Sequence, residues 1–588
     1  MRLELIAIFF ALALFGTCLY GCGNKSSKAT SSSISKAPTP AEHRATAQAF
    51  LSKYYNDLSK LELDQATAYW KAANSGLKED FDAYAAADLA LRLLHRDADR
   101  YTELKQILTY KDMLEPLMAR SLEVAQLAFI GNQLPRELIE RMVKAASEIE
   151  HTFDTFRATL GGKKLSNNDV LEMLADERNS AKRQALWEAL KAVGAEVGAK
   201  LTSLAKVRNE AARTLGYANY WEMQVRLQEY DPSTLLDLFE RLVQLTDEPF
   251  RRMKSQLDAE LAQKFKVKPE ALMPWHYDDP FFQNVPPTNN VDPDEFYGQT
   301  TKENIVRLGT QFYADIGLPI DDVVKRSDFF ERAGKNQHAF CITMNRLGDI
   351  RMLLNVKPTA EWMETMLHES GHAAYYKYID RSLPYNLREA AHIFATEGIA
   401  MLFGALAKNP TWLIDNAGAS ARRVGVMRQA LLEQRRRAQL IFARFAMVML
   451  YFEKALYENP DQDLNRLWYD YVERFQLIRR PPNRNAPDWA AKPHFTIAPV
   501  YYHNYLLGEL FASQLRATLS RLSHPTDKPT DVSFKGRKDY GRFIINEVFA
   551  PGMSKPWSIF VQNVTGAPLS VKAYAAELQD EVGHKIGK

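Results

Sequence analysis

His368, Glu369 and His372 form an HExxH pattern inside a run, Ala360 to Tyr378, whose apolar spacing predicts a helix. Residues four apart share a helix face, so both imidazoles can reach one metal ion while Glu369 stands beside the open coordination position. A further carboxylate, Glu397, follows downstream. Two His and one Glu are a ligand set used by catalytic zinc, which takes three protein ligands and leaves its fourth position to water. The chemistry this predicts is hydrolysis by a metal-activated water, with Glu369 as general base. Met363, Met366 and Leu367 precede the pattern and Ala373, Ala374, Tyr375 and Tyr376 follow it, so it sits in a largely apolar helix. Polar groups buried there need partners, either a metal or hydrogen bonds within the core.

The elements that must position these residues read as mainly α. Long amphipathic patterns fill Ala41 to Leu261, with apolar residues at helical spacing over Leu117 to Phe129, Pro135 to Leu160 and Ser233 to Leu261. The exception precedes the HExxH helix. Ala339 to Met344 and Ile350 to Leu354 are β-like runs flanking Asn345 to Asp349, a hairpin loop. An edge strand there could hold an extended peptide by backbone hydrogen bonds. Asp279 to Asp294, rich in Pro and Asn, reads as an irregular excursion.

Composition narrows the partners. With 75 Lys and Arg against 72 Asp and Glu in 588 residues and no basic block, nothing points to nucleic acid, and a peptide is easier to reconcile. The three cysteines exclude a disulfide scaffold, since Cys18 and Cys22 lie in the N-terminal segment and only Cys341 belongs to the body. That segment reads as an export signal over residues 1–22. Arg2 precedes an apolar run from Leu5 to Leu19, and Leu19-Tyr20-Gly21-Cys22 resembles a bacterial lipobox with Cys22 as the lipidated residue. Residues 23–40, rich in Ser, Lys, Thr and Pro, read as a flexible tether spanning about 20–25 Å. The expectation is an exported protein on the periplasmic face of a bacterial membrane, held there by a lipid or signal anchor, or else secreted. Residues 41–588 would form one helical domain with its motifs between 338 and 505.

The motifs together resemble the zinc peptidyl dipeptidases related to angiotensin-converting enzyme. His368-Glu369-Ser370-Gly371-His372 is similar to that family's HExGH, and Leu387-Arg388-Glu389 followed by Glu397 looks like its segment carrying the glutamate ligand. His338-Ala339, Lys492-Pro493-His494, Tyr502-His503-Asn504-Tyr505 and Pro274-Trp275-His276 with Gln283 resemble further family elements, and the likeness covers most of residues 41–575. The resemblance implies a large two-lobed helical fold with a deep central cleft, and a β-hairpin edge beside the zinc helix. It implies one zinc ion per chain on His368, His372 and Glu397, with Glu369 as the base. Tyr505 and His494 would donate hydrogen bonds to the reacting carbonyl, and His338 and Ala339 would contact the substrate backbone. Gln283, Lys492 and Tyr502 would bind the free C-terminus of a short peptide, so that dipeptides are released from that end.

Three departures stand out. Met401 occupies the place of a carboxylate that usually supports a ligand His, with Glu389 or Asp380 as candidate substitutes. Asn504 replaces an Arg that binds activating chloride in animal members. The Tyr pair sits one residue further from His494 than in the family, which makes Tyr501 a rival of Tyr502. Two other readings use the same residues. A thimet-like zinc oligopeptidase would cut internal bonds and ignore a blocked C-terminus, and a membrane-tethered peptide-binding scaffold would not cut at all.

Overall fold

The structure, a computed structural model, describes residues 38–165, 167–286, 292–336, 338–523 and 530–579. The export signal, Cys22 and the tether up to residue 37 lie outside the described residues. Thr39, at the end of the expected tether, already belongs to the folded body. Its hydroxyl accepts from Glu42 N and its own N–H donates to the Glu42 carboxylate, a capping box that starts helix α1 (Pro40–Ser75).

The remaining elements used below follow in chain order. They are α2 (Lys78–Arg96), α3 (Pro116–Ile130), α4 (Arg136–Thr155), the strands β1 (Ala158–Leu160) and β2 (Lys163–Leu165), α5 (Ser180–Lys191), α6 (Val193–Thr214), α7 (Pro232–Phe265) and α8 (Lys302–Asp315). Then come the strands β3 (Phe340–Thr343) and β4 (Ile350–Leu353), and the helices α9 (Ala360–Tyr378), α10 (Ile393–Gly404), α11 (Ala421–Glu458) and α12 (His503–Ser523). The fold is mainly α, with two short antiparallel hairpins as the only sheets among the described residues.

One expected helix is too long. The run from Pro135 stops at Thr155, Phe156 is extended, and Ala158–Leu160 becomes β1 paired with β2. Gly161 and Gly162 both take positive φ, 58° and 81°, which a two-residue hairpin turn requires and which glycine adopts without a Cβ penalty. Turn chemistry here overrides the helical period of the preceding residues.

The HExxH helix and the helix that carries Glu397 are set by burial and by small residues. α9 begins where Thr359 Oγ1 accepts from Trp362 N, and it is buried around most of its circumference, as a core helix must be when apolar on most sides. α10 is buried along nearly its whole length. The two approach closely at Gly371, where a Cβ would lie 2.9 Å from Ala400 Cα. α10 meets α12 at a second crossing, where a Cβ on Gly398 would lie 2.8 Å from both Gly508 O and the Phe511 ring. These contacts bring Glu397 on α10 against the histidines on α9.

β3 pairs with β4 with Cys341 opposite Met352, and Asp328 bridges the far side of β4 at Leu353. The other edge of β3 borders the central cavity. α1, α3 and their neighbours have a separate apolar core containing Phe50, Tyr54, Leu58 and Phe129, which also includes Tyr385 from the segment after α9. Arg346 and Tyr385 donate to the Glu62 carboxylate at 2.7 and 2.9 Å, tying this helical layer to the loop between β3 and β4 and to the segment after α9.

Gly398→Ala should lower stability by about 1–3 kcal/mol, because the added methyl meets backbone and a buried ring at the α10–α12 crossing. Urea denaturation checks this, and an unchanged midpoint would mean the crossing yields freely.

Candidate active site

A cavity of about 650 Å³ lies between α9, α10, α12 and the edge of β3, and His368, Glu369, His372, Glu397, Tyr501, Tyr505 and Ala339 all line it. His368 Nε2 and His372 Nε2 face each other at 3.3 Å, and Glu397 Oε2 lies 3.6 and 3.7 Å from them. These separations fit three corners of a tetrahedron whose centre is about 2.0–2.1 Å from each donor atom. Glu397 Oε2 is buried and has no hydrogen-bond partner, although a buried unsatisfied carboxylate oxygen is costly. A divalent cation between the three atoms would satisfy it, so the donor set fits zinc.

Burial sets the protonation of the group. It pushes His368 down to about 4 and His372 well below its ordinary value, so both imidazoles are neutral and free to ligate. Burial raises Glu369 to about 8, with the neighbouring Glu397 carboxylate adding to the effect, and raises Glu397 to about 7 against the opposing Tyr501 hydrogen bond. A bound cation would favour the ionised form of both carboxyls.

The ligand side chains are oriented by groups that sequence reasoning missed or misassigned. Tyr501 OH donates to Glu397 Oε1 at 2.7 Å, leaving Oε2 to face the histidines. His372 Nδ1 lies 2.7 Å from Thr396 Oγ1, and a proton held there leaves the lone pair on Nε2. Neither substitute considered for the carboxylate missing at Met401 takes that role. Asp380 accepts from Ser382 N, and Glu389 bonds Tyr376 and the Ala390 N–H and lies 3.8 Å from Arg346. The charge acting on His368 is Glu364, one turn earlier on α9, itself paired with Lys408 at 2.5 Å. A hydroxyl-bearing residue beside Glu397 in an otherwise apolar helix was the available sequence signal for Thr396.

The other expected site residues form an adjoining cluster. Lys492 Nζ donates to Gln283 Oε1 at 2.7 Å, and Tyr502 OH lies 3.5 Å from the same oxygen, whereas Tyr501 points to Glu397. Lys492 is buried and its ammonium falls to about 8. The His494 ring packs 5.0 Å from Tyr502 and 6.2 Å from Tyr505, with Nδ1 buried and unbonded. Burial, then Lys492 and His338, push its imidazole down to about 3, so it is neutral and can donate one N–H. Tyr505 joins the two clusters, its ring 5.2 Å from both Tyr501 and Tyr502. Asn504 is fully buried, receiving the Tyr230 hydroxyl proton at 2.8 Å and donating to Gln228 at 2.8 Å.

A mainly helical body with an HExxH helix, a converging glutamate and a peptide-sized cavity defines a metallopeptidase. Residues 41–576 match the sequence profile of the angiotensin-converting enzyme family, so the chain belongs to that family and is a zinc metallopeptidase of its type. No curated protein is similar enough to match it.

Tyr501→Phe should lower zinc affinity about 10- to 100-fold, because Glu397 loses the hydroxyl that orients it. Competition against a chromogenic chelator measures this, and wild-type affinity would show that the hydrogen bond does not orient the ligand.

Proposed function

We propose that the protein is a peptidyl dipeptidase that removes C-terminal dipeptides from short peptides with a free C-terminus. The observation that carries this reading is the cluster of buried Lys492 and Tyr502 with half-buried Gln283, joined through Tyr505 to the His368–His372–Glu397 site. An ammonium, an amide and a phenol converge there, which is what recognition of a terminal carboxylate needs. A fixed anchor for the chain end selects which bond reaches the reacting position.

His368, His372 and Glu397 would hold one zinc ion per chain. Zinc supplies a Lewis acid for the substrate carbonyl and makes water acidic enough to attack near neutral pH. Glu369 takes the proton of the attacking water and returns it to the leaving amine, a role suited to a carboxyl whose pKa burial has moved toward neutrality. Tyr505 and the neutral His494 donate to the carbonyl oxygen as negative charge grows on it. The substrate backbone lies along the β3 edge and the two residues that lead into it, His338 and Ala339, and Lys492, Gln283 and Tyr502 hold its terminal carboxylate.

The N-terminal segment supports export, with Cys22 as the lipidated residue and the tether carrying the enzyme clear of a membrane surface. Among the described residues no helix is long and apolar enough to cross a membrane.

Glu369→Gln should keep zinc content near wild type and lower turnover by at least about 10²- to 10⁴-fold, since it removes the base and leaves the three ligands in place. Full activity in that variant contradicts the assigned role. The zinc-loaded chain should release C-terminal dipeptides from a short peptide, lose this activity to a chelator, and spare the C-terminally amidated peptide, with product masses as readout. Equal cleavage of both peptides would favour a thimet-like oligopeptidase, and cleavage of neither would favour the scaffold.

A further inference from the structure

A buried ammonium that none of the roles above uses stands behind the carboxylate cluster. Lys191, the last residue of α5, is 2 % exposed, and its Nζ has no hydrogen-bond partner. It lies 3.1 Å from the centroid of the Phe281 ring and 5.5 Å from that of Trp187, and Lys492 Nζ lies 5.2 Å from the same Phe281 centroid. The segment between is fixed, because Trp187 Nε1 donates to Pro280 O at 3.2 Å and Gln476 donates to the carbonyls of Phe281 and Phe282. Two ammonium groups therefore share one aromatic ring at the base of the site that ends in Gln283.

The charges around them do not balance. The charged groups that act most on Lys191 are Asp488, Asp279, Lys492 and Arg484, while Glu188, 3.5 Å from Arg484, is exposed to solvent. Asp488 is matched by Arg484, which binds both its oxygens at 2.7 Å, with the Tyr469 hydroxyl also donating to it. Asp279 is the remaining carboxylate, and it acts on both lysines. Its oxygens accept from Phe281 N, Gln283 N and the Asn284 amide. Lys191 and Lys492 against Asp279 leave one positive charge unmatched in a buried place, where an uncompensated ion is costly. Burial accordingly brings the Lys191 ammonium down to about 7, in the absence of any bound anion.

We propose that Lys191 is a second positive charge of the C-terminal carboxylate site and a cause of its demand for a free C-terminus. A carboxylate held by Lys492, Gln283 and Tyr502 cancels the excess charge, whereas an amide occupies the same space and leaves it. Lys191 acts through space and touches no reacting atom, so it is a positioning and specificity residue. The inference rests on the dipeptidase reading and adds to it the origin of the end-group discrimination.

The test compares kcat and KM for one peptide, free or amidated at its C-terminus, on the full-length zinc enzyme, Lys191→Met and Lys191→Arg. Methionine keeps most of the stem against Phe281 and Trp187 and removes the charge. In Lys191→Met the free-over-amide ratio of kcat/KM should fall about tenfold or more, mainly through a higher KM for the free peptide, and Lys191→Arg should retain the ratio. An unchanged ratio in Lys191→Met overturns the inference, as does an equal loss on both peptides, which would mark a packing role. If Lys191→Met does not fold, as judged by its circular dichroism melt, Lys191→Gln carries the same comparison. Wild-type enzyme that treats the two peptides alike would sink the dipeptidase reading and this inference with it. A wild type that discriminates beside a methionine variant that discriminates equally sinks this inference alone.

Discussion

The approach of a single buried carboxylate oxygen to two imidazole nitrogens constrains the rest of the catalytic body. Glu397 Oε2 has no protein hydrogen-bond partner and sits 3.6 and 3.7 Å from the facing Nε2 atoms of His368 and His372. Those atoms come from two helices, so their convergence depends on how closely the helices approach. Gly371 against Ala400 and Gly398 against Gly508 permit an approach that larger side chains would block. The hydroxyls of Tyr501 and Thr396 then fix which face each ligand presents. Helix packing, hydrogen bonding and metal affinity are thus one linked arrangement, in which a change to any of them reaches the others.

Around that arrangement the cleft divides by electrostatics. The His368–His372–Glu397 group is buried deeply enough that its imidazoles stay neutral and its carboxyl shifts upward, a shift that a divalent cation between the three would reverse by favouring the carboxylate. The adjoining cluster of Lys191, Lys492 and Asp279 places two ammonium groups beside one carboxylate, the basis on which an anionic chain end is proposed to bind there. Tyr505 links the two, its ring packed against Tyr501 on one side and against Tyr502 and His494 on the other. The β3 edge forms one wall, and the N-terminal helical layer, pinned through Glu62 to Arg346 and Tyr385, adds Val124 and Leu127 to the lining.

Much of this was legible in the sequence because it is local. The HExxH helix runs over Ala360–Tyr378 as its spacing requires, and the hairpin on either side of Asn345 to Asp349 follows from alternation and turn residues. Membership of the angiotensin-converting enzyme family was readable from motifs spread along the chain. The contacts missed depend on tertiary approach. The lack of a carboxylate at Met401 was visible, and so was a hydroxyl at Thr396 in an apolar helix, but the sequence names neither His372 as its partner across the helix interface nor Glu397 as the partner of Tyr501. Nothing in the sequence marks Lys191 as buried; the Phe281 and Trp187 rings that pack on its ammonium meet it only in the folded chain. The short strand Ala158–Leu160 was hidden by the helical period before it, although Gly161-Gly162 was a turn signal in plain view.

Zinc-edge X-ray absorption on the purified full-length protein tests the central claim most directly, because it reads the metal's identity and its ligand atoms together. The account predicts one zinc per chain in a four-coordinate shell of nitrogen and oxygen at about 2.0–2.1 Å, with two imidazoles contributing and no sulfur. A shell containing sulfur at about 2.3 Å, or two imidazoles still bound unchanged after Glu397→Ala, would contradict a site closed by Glu397.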